Sequence, residues 1–328
     1  MRFGIAAAVL VLLSSCASAR EAPLQIAITV DDLPVHGPYP SSETPISVAH
    51  TVISALRAQK VDAYGFTNAY WTEKDPPTKA VLQAWKDAGL PLGNHGWAHR
   101  SLSEMSVVEF EQELVKDEPA LVRHGAGTDW HWFRYPFLDE GKDEAQRIAA
   151  RQVLAKHGYR VAAVTTGWSD WAWTPAYARC TARHDAAGIA ELERLYLAAV
   201  RQSIVDDRDS AHKLYGRDIP YVLLMHVSAM SARMMPEVIR IYRDAGFRFV
   251  SLPDAERDPA YRNYTDLSLP PPPSRAEAAE QKGVKLPAPP DYSGKLNAIC
   301  AYSAPDGAPS IQVSTTSIFS SSSTRLEQ

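Results

Sequence analysis

The chain of 328 residues is long enough for one large domain or two small ones, and its makeup, 45% hydrophobic and 22% charged, is that of an ordinary globular protein. A formal net charge of -4, from 34 Lys and Arg against 38 Asp and Glu, gives no basis for binding nucleic acid or an acidic membrane surface. The 8 Trp and 14 Tyr suit stacking on sugar rings, and equally a large core.

At the start of the chain, Arg2 gives a basic n-region, Ile5 to Leu13 an apolar h-region, and Ala17-Ser18-Ala19 a small-x-small cleavage site. The apolar stretch is too short to span a bilayer, so no transmembrane segment is expected. Leu13-Ser14-Ser15-Cys16 also resembles a bacterial lipoprotein signal, with Cys16 as a lipid anchor. Both alternatives predict export. The lipoprotein alternative, with Ala17 after the cysteine, predicts the outer membrane of a Gram-negative cell; simple cleavage predicts the periplasm. Residues 1–19 are thus read as a signal. Cys180 and Cys300 remain, and an exported protein can pair them into a disulfide between the tail and the main domain.

Beyond the signal, a strand at Leu24–Val30 runs into two adjacent carboxylates, Asp31 and Asp32. A helix at Pro45–Gln59, a strand at Val61–Phe66 and a helix at Thr78–Ala88 closed by Gly89 come next. Ser106 and Glu109 form a capping box for a helix through about Lys116, which Pro119 kinks or ends. Then come a short strand at Trp132–Arg134, a helix at Asp143–His157, a strand at Tyr159–Thr165 and a helix at Ala187–Val205. Tyr221–Met225, Ala232–Ala245 and Phe247–Ser251 read as strand, helix and strand. The alternation predicts a parallel α/β domain, open or barrel-like, over residues 24–255. Residues 256–328 are rich in Pro and then in Ser and Thr, and read as an extended, loosely attached extension, partly disordered. No Gly-rich phosphate loop is visible.

Several strand ends carry chemistry. Two like charges at Asp31-Asp32 need a counter-charge, and a metal ion is one. His95 and His99, four apart after Pro91–Gly93, lie on one face of a helical turn and can reach one cation together. Two imidazoles and a carboxylate suit Zn²⁺ foremost, or another divalent transition metal, with a position open for water. The second carboxylate is then free to act as general base. Arg134, before Tyr135 and Pro136, can hold a carboxylate, and the N–H after the proline can face an oxyanion. Asp170 lies between Trp168 and Trp171 in a loop, and His226 ends the strand at Tyr221. His36, in the loop after the first strand, should overhang this site; His50 and His131 read as surface or supporting groups. Trp130 and Trp132 suit a sugar face or the core.

Thr29-Val30-Asp31-Asp32, His95-x-x-x-His99, Arg134-x-Pro136, Asp170-Trp171 and Leu224-x-His226 stand in the order of the motifs of the polysaccharide deacetylase family, which the chain resembles from Leu24 to Leu252. The resemblance implies a distorted, incomplete (β/α) barrel and a metal-dependent hydrolysis of acetyl groups on a glycan. By position, it implies Asp31 as base, held by Arg134; Asp32, His95 and His99 as metal ligands; and His226 as acid, oriented by Asp170. It also implies an oxyanion contact from the N–H of Phe137, with Tyr135, Trp171 and Leu224 on the substrate side. The chain departs from the usual pattern at Leu33, at Phe137-Leu138 and at Gly167, where many members carry Gly, Tyr-Gly and Asp. The expected partner is an acetylated polysaccharide built on N-acetylglucosamine. An O-acetyl esterase on xylan-like glycan is the nearest alternative. A noncatalytic glycan-binding lipoprotein is another, and it would need a lost ligand, base or acid.

Overall fold

A computed structural model describes residues 23–125 and 127–301. The export segment with Cys16 and the Ser/Thr-rich run of 314–324 lie outside the described residues. Strand β1 (Gln25–Leu33) is an interior strand of the sheet, and its residues 26–31 are all buried. Both of its faces are covered, which is why its sequence is continuously apolar rather than alternating. Helix α1 (Pro45–Gln59) follows, capped reciprocally by Thr44 and Ser47. Then come β2 (Ala63–Thr67), α2 (Tyr70–Lys74), α3 (Lys79–Asp87), β3 (Leu92–Asn94), α4 (Val107–His124), β4 (Trp132–Phe133), α5 (Glu144–Lys156) and β5 (Arg160–Val161). The second half holds α6 (Thr174–Ala182), α7 (Ala186–Tyr215), β6 (Tyr221–His226), α8 (Ala229–Asp244) and β7 (Arg248–Phe249). Four short helices end it: α9 (Leu252–Ala255), α10 (Arg262–Thr265), α11 (Arg275–Lys282) and α12 (Ser293–Ala298).

The strands run β5-β4-β3-β2-β1-β6, with β7 beside the first residues of β1, and every pairing is parallel. All strand C-termini therefore open on one edge, where ligand sites form in such sheets. The strand expected over Tyr159–Thr165 is split. Arg160 and Val161 pair with β4, whereas Thr166 bridges Leu223 of β6. The run thus crosses from one margin of the curled sheet to the other and closes it incompletely. This is a distorted, incomplete (β/α) barrel.

Other elements differ in extent. Helix α4 continues through Pro119, because buried Leu114 and Leu121 on either side hold it to the core while the proline faces solvent. Helix α7 runs ten residues beyond the expected Val205, to Tyr215, and α2 and α6 appear where no element was expected. The described part of the C-terminal extension is not loosely attached. Tyr261 is buried and donates to the carbonyl of Pro220, Arg151 donates to the carbonyls of Asn263 and Leu269, and Arg179 to that of Leu296. Cys180 and Cys300 form a disulfide across 120 residues. Among the described residues no helix is long and apolar enough to cross a membrane.

Candidate metal centre and its flanking acid and base

Asp31 ends the regular pairing of β1, opposite His226 of β6. At Asp32 the backbone turns left-handed (φ 65°), and the register with β2 shifts between Val30 and Leu33. This break, rather than simple strand alternation, separates the two carboxylates. Both still face His95: its Nε2 lies 3.6 Å from Asp31 Oδ2 and 3.4 Å from Asp32 Oδ1.

The two histidines are not on a helix. Gly96 (φ 72°) and His99 (φ 53°) fold residues 95–99 into a turn that brings the rings to 4.9 Å. Three polar side chains secure that turn. Asn68 Nδ2 donates to the carbonyls of His95 and Gly96, Asn94 Oδ1 accepts from Gly96 N–H, and Glu113 accepts from Ala98 N–H. None of the three stands out in the sequence; an Asn after a strand has no pattern of its own.

His95 Nδ1–H donates to the carbonyl of Arg134 at 2.8 Å, which leaves Nε2 bare in the neutral ring. Asp32 Oδ1 is buried without a hydrogen-bond partner, 3.4 Å from His95 Nε2 and 3.3 Å from His99 Nε2. Lone pairs facing lone pairs call for a cation between them. Bonds of about 2.1 Å at tetrahedral angles separate donor atoms by about 3.4 Å, which these distances match. Asp32, His95 and His99 therefore form a donor set that fits a divalent metal. Burial pulls His99 down to about 4 despite the opposing pull of Asp32, so it is neutral, as a ligand must be. Burial raises Asp32, but the surrounding histidines His99, His36 and His95 outweigh it and hold the carboxyl well below its usual range.

His36 comes to the same carboxylate from the other side, with Nδ1 2.6 Å from Asp32 Oδ2. That is a direct hydrogen bond with no room for an ion, so His36 supports Asp32 rather than joining the donor set.

On the base side, Arg134 is fully buried. Its Nη1 donates to Asp31 Oδ2 (3.3 Å), its Nη2 to Thr29 Oγ1 (3.1 Å) and its Nε to the carbonyl of Ala162 (3.0 Å). On the other side, His226 Nδ1 donates to Asp170 Oδ1 at 2.7 Å, and Asp170 Oδ2 accepts from the backbone N–H of His226 and from Ser231 Oγ. Burial works against charge on His226, but Asp170 overcomes it and lifts the imidazole to about 9. Asp170 is raised by burial and, more strongly, lowered by His226 and its donors, so the pair is ionic at neutral pH. Ser231, on α8, was not expected at the site; at five residues after His226 it carried no motif.

Phe137 and Leu138 are exposed and both have left-handed backbone (φ 59° and 54°), and the Phe137 ring stands 4.4 Å from that of His99. Trp171 is half exposed and Leu224 partly buried. Tyr135 corrects the expectation. Its side chain is buried against Phe110 and Phe133 in the smaller apolar cluster, so it does not line a substrate surface. Trp132 is buried as well, and Trp130 stacks on His131. An open cavity of about 580 Å³ lies elsewhere, at Asp129, His131, Arg160 and Asp266; its Asp129 is taken by Arg160 and His131.

Residues 20–162 match the family model for polysaccharide deacetylase. Among solved structures, the chain is similar to a CE4 family pseudoenzyme from Bacillus anthracis, at 13% identity over 72% of this chain and 66% of that one, with a TM-score of 0.50. A mutant of that pseudoenzyme with restored enzymatic activity gives 14% identity, coverage of 72% and 68%, and a TM-score of 0.51. A family 4 carbohydrate esterase from Streptomyces lividans, in complex with acetate, gives 19% identity, coverage of 71% and 97%, and a TM-score of 0.46. At these identities the likeness is one of fold.

Proposed function

We propose that this chain, whose residues 20–162 match the family model for polysaccharide deacetylase, hydrolyses acetyl groups from N-acetylated glycan, with N-acetylglucosamine-containing polysaccharide as substrate. One observation carries the reading: a buried carboxylate oxygen without a hydrogen-bond partner and the Nε2 atoms of two imidazoles converge at 3.3–3.4 Å, between a carboxylate held by arginine and an imidazolium held by aspartate. Asp32, His95 and His99 would hold the ion, with Zn²⁺ proposed. When bound, it would polarise the acetyl carbonyl and make a neighbouring water more acidic. Asp31, fixed by Arg134, takes the proton from the attacking water. His226, protonated up to about pH 9, faces the same space and gives a proton to the departing nitrogen. An amide needs both, because a bare amine anion is too poor a leaving group. Trp171, Leu224 and Phe137 supply apolar surface for the acetyl methyl and the sugar. The protein is proposed to act outside the cytoplasm, in the periplasm or as an outer-membrane lipoprotein.

The test is acetate release from a panel of N- and O-acetylated glycans, by the wild type and by His226→Gln. Loss of the acid should harm N-acetyl substrates at least tenfold more than aryl acetates, whose leaving groups need little protonation. Equal losses on both would remove His226 from the role of acid. Release from O-acetylated xylan alone would replace the amide reading with the ester one.

A further inference from the structure

Where the run after β5 crosses between the margins of the sheet, its peptide groups lose their strand partners. Ala162 N–H still donates to the carbonyl of Phe133. The next groups are held by side chains. The Ala162 carbonyl accepts from Arg134 Nε at 3.0 Å, and the Ala163 carbonyl from Arg134 Nη2 at 3.2 Å. Ala163 N–H donates to Glu256 Oε1 at 2.7 Å. One peptide unit is thus gripped from both sides, by the arginine that also holds Asp31 and by a glutamate that follows α9.

Glu256 is buried, and its Oε2 has no hydrogen-bond partner. A carboxyl group in that state is costly, and an uncharged amide could satisfy Ala163 equally well. Burial pushes Glu256 up to about 8, against the pull of Ala163 N–H, Arg134 and Arg160. The residue belongs to none of the five motifs and lies beyond the 20–162 match.

We propose that Glu256 is a positioning residue for the base: by pinning Ala163 it fixes the seat of the Arg134 guanidinium, and through it the carboxylate of Asp31. The role in catalysis rests on reading Asp31 as the base; the pinning of Arg134 does not.

The test uses the full chain loaded with Zn²⁺ and three variants. Glu256→Met keeps the bulk and removes the acceptor. Its kcat for acetate release should fall about 10- to 100-fold, with KM within twofold, since nothing that touches substrate is changed. Glu256→Gln keeps an oxygen for Ala163 N–H and should hold kcat within about threefold of wild type. In protein carrying ¹⁵N-arginine, the Arg134 Nε–H signal should stay protected from exchange in wild type and Glu256→Gln and lose protection in Glu256→Met. Should Glu256→Met not fold, Glu256→Asp draws the carboxylate back by one methylene, and the same two readouts should move in the same direction. Lower thermal stability with kcat and the Arg134 signal both unchanged would reduce Glu256 to a plug in the barrel wall and overturn the proposal. If wild type releases no acetate from any substrate, the deacetylase reading fails, and the arginine signal still decides the positioning.

Discussion

Asp31 and Asp32 are neighbours with different surroundings because the backbone changes hand between them. Asp31 meets a buried guanidinium, and Asp32 meets three imidazoles. Asp31→Asn should therefore lower kcat by about 10²–10⁴-fold while metal content, read by elemental analysis, stays at the wild-type level. His36→Ala removes the hydrogen bond to Asp32 Oδ2, and metal affinity should fall by about 10–100-fold, as it does when such supporting partners are lost. His226 carries the pH dependence. A folded pKa raised from 6.5 to about 9 means that the acid is available below about 9, so acetate release should decline as pH rises through that value. The same shift stabilises the fold fully below about pH 6.5, and that contribution is lost as pH climbs through about 9. Asp170→Asn should bring the alkaline limb down by more than one pH unit and flatten the pH dependence of stability in that window; an unmoved limb would separate His226 from Asp170. Asp31, Asp32, His95, His99, Arg134, Tyr135, Asp170 and His226 stand out in the sequence because they are titratable types close to strand ends, and the structure gathers all but Tyr135 at one place. Of these Tyr135 was misplaced, since a tyrosine beside an active-site arginine reads the same whether it faces the site or the core. Asn68, Ser231 and Glu256 were illegible, because their roles exist only once distant segments meet.

At the scale of elements, local signals set most boundaries. Pro45 opens α1, and Ser106 with Glu109 opens α4 where the capping box was read. Ser106→Ala should cost about 1 kcal/mol, measurable by denaturant unfolding. Pro119 was read as kinking or ending the helix, and the helix runs on past it to His124, because propensity says nothing of the burial on either side of it. The split of the strand at Tyr159–Thr165 was equally hidden: seven residues of strand-like composition do not reveal that their two ends pair with different neighbours. Spacing placed His95 and His99 together for the wrong reason, a helical turn instead of a left-handed one. Gly188, in the first turn of α7, has a definite demand on it. A Cβ there would lie 2.5 Å from Cys300 Sγ and 3.0 Å from Cys180 Sγ. Gly188→Ala should either cost about 1–3 kcal/mol or leave two titratable thiols; a fully bridged variant of unchanged stability would contradict the packing described.

For the molecule as a whole, the alternation of elements was enough to imply a parallel α/β sheet, open or barrel-like, and the incomplete barrel was implied by the family whose motifs the chain resembles. The wrapping of residues 256–301 was not legible. Pro-rich composition reads as extended chain, and beyond the bridge at Cys300, which the cysteines did announce, the attachments are single residues without periodicity, such as Tyr261 and Arg179 on Leu296. Opening that bridge with Cys180→Ser and Cys300→Ser should lower stability by about 2–5 kcal/mol, given the long loop it closes, and leave room-temperature activity intact. The central claim is that Asp32, His95 and His99 hold a metal ion that hydrolysis of an acetylated glycan requires. It is tested most directly by following acetate release from N-acetylglucosamine oligomers by the full chain, first as purified, then after chelation, then after Zn²⁺ is returned. The account predicts that chelation abolishes release and Zn²⁺ restores it; release that continues undiminished in chelator would contradict it.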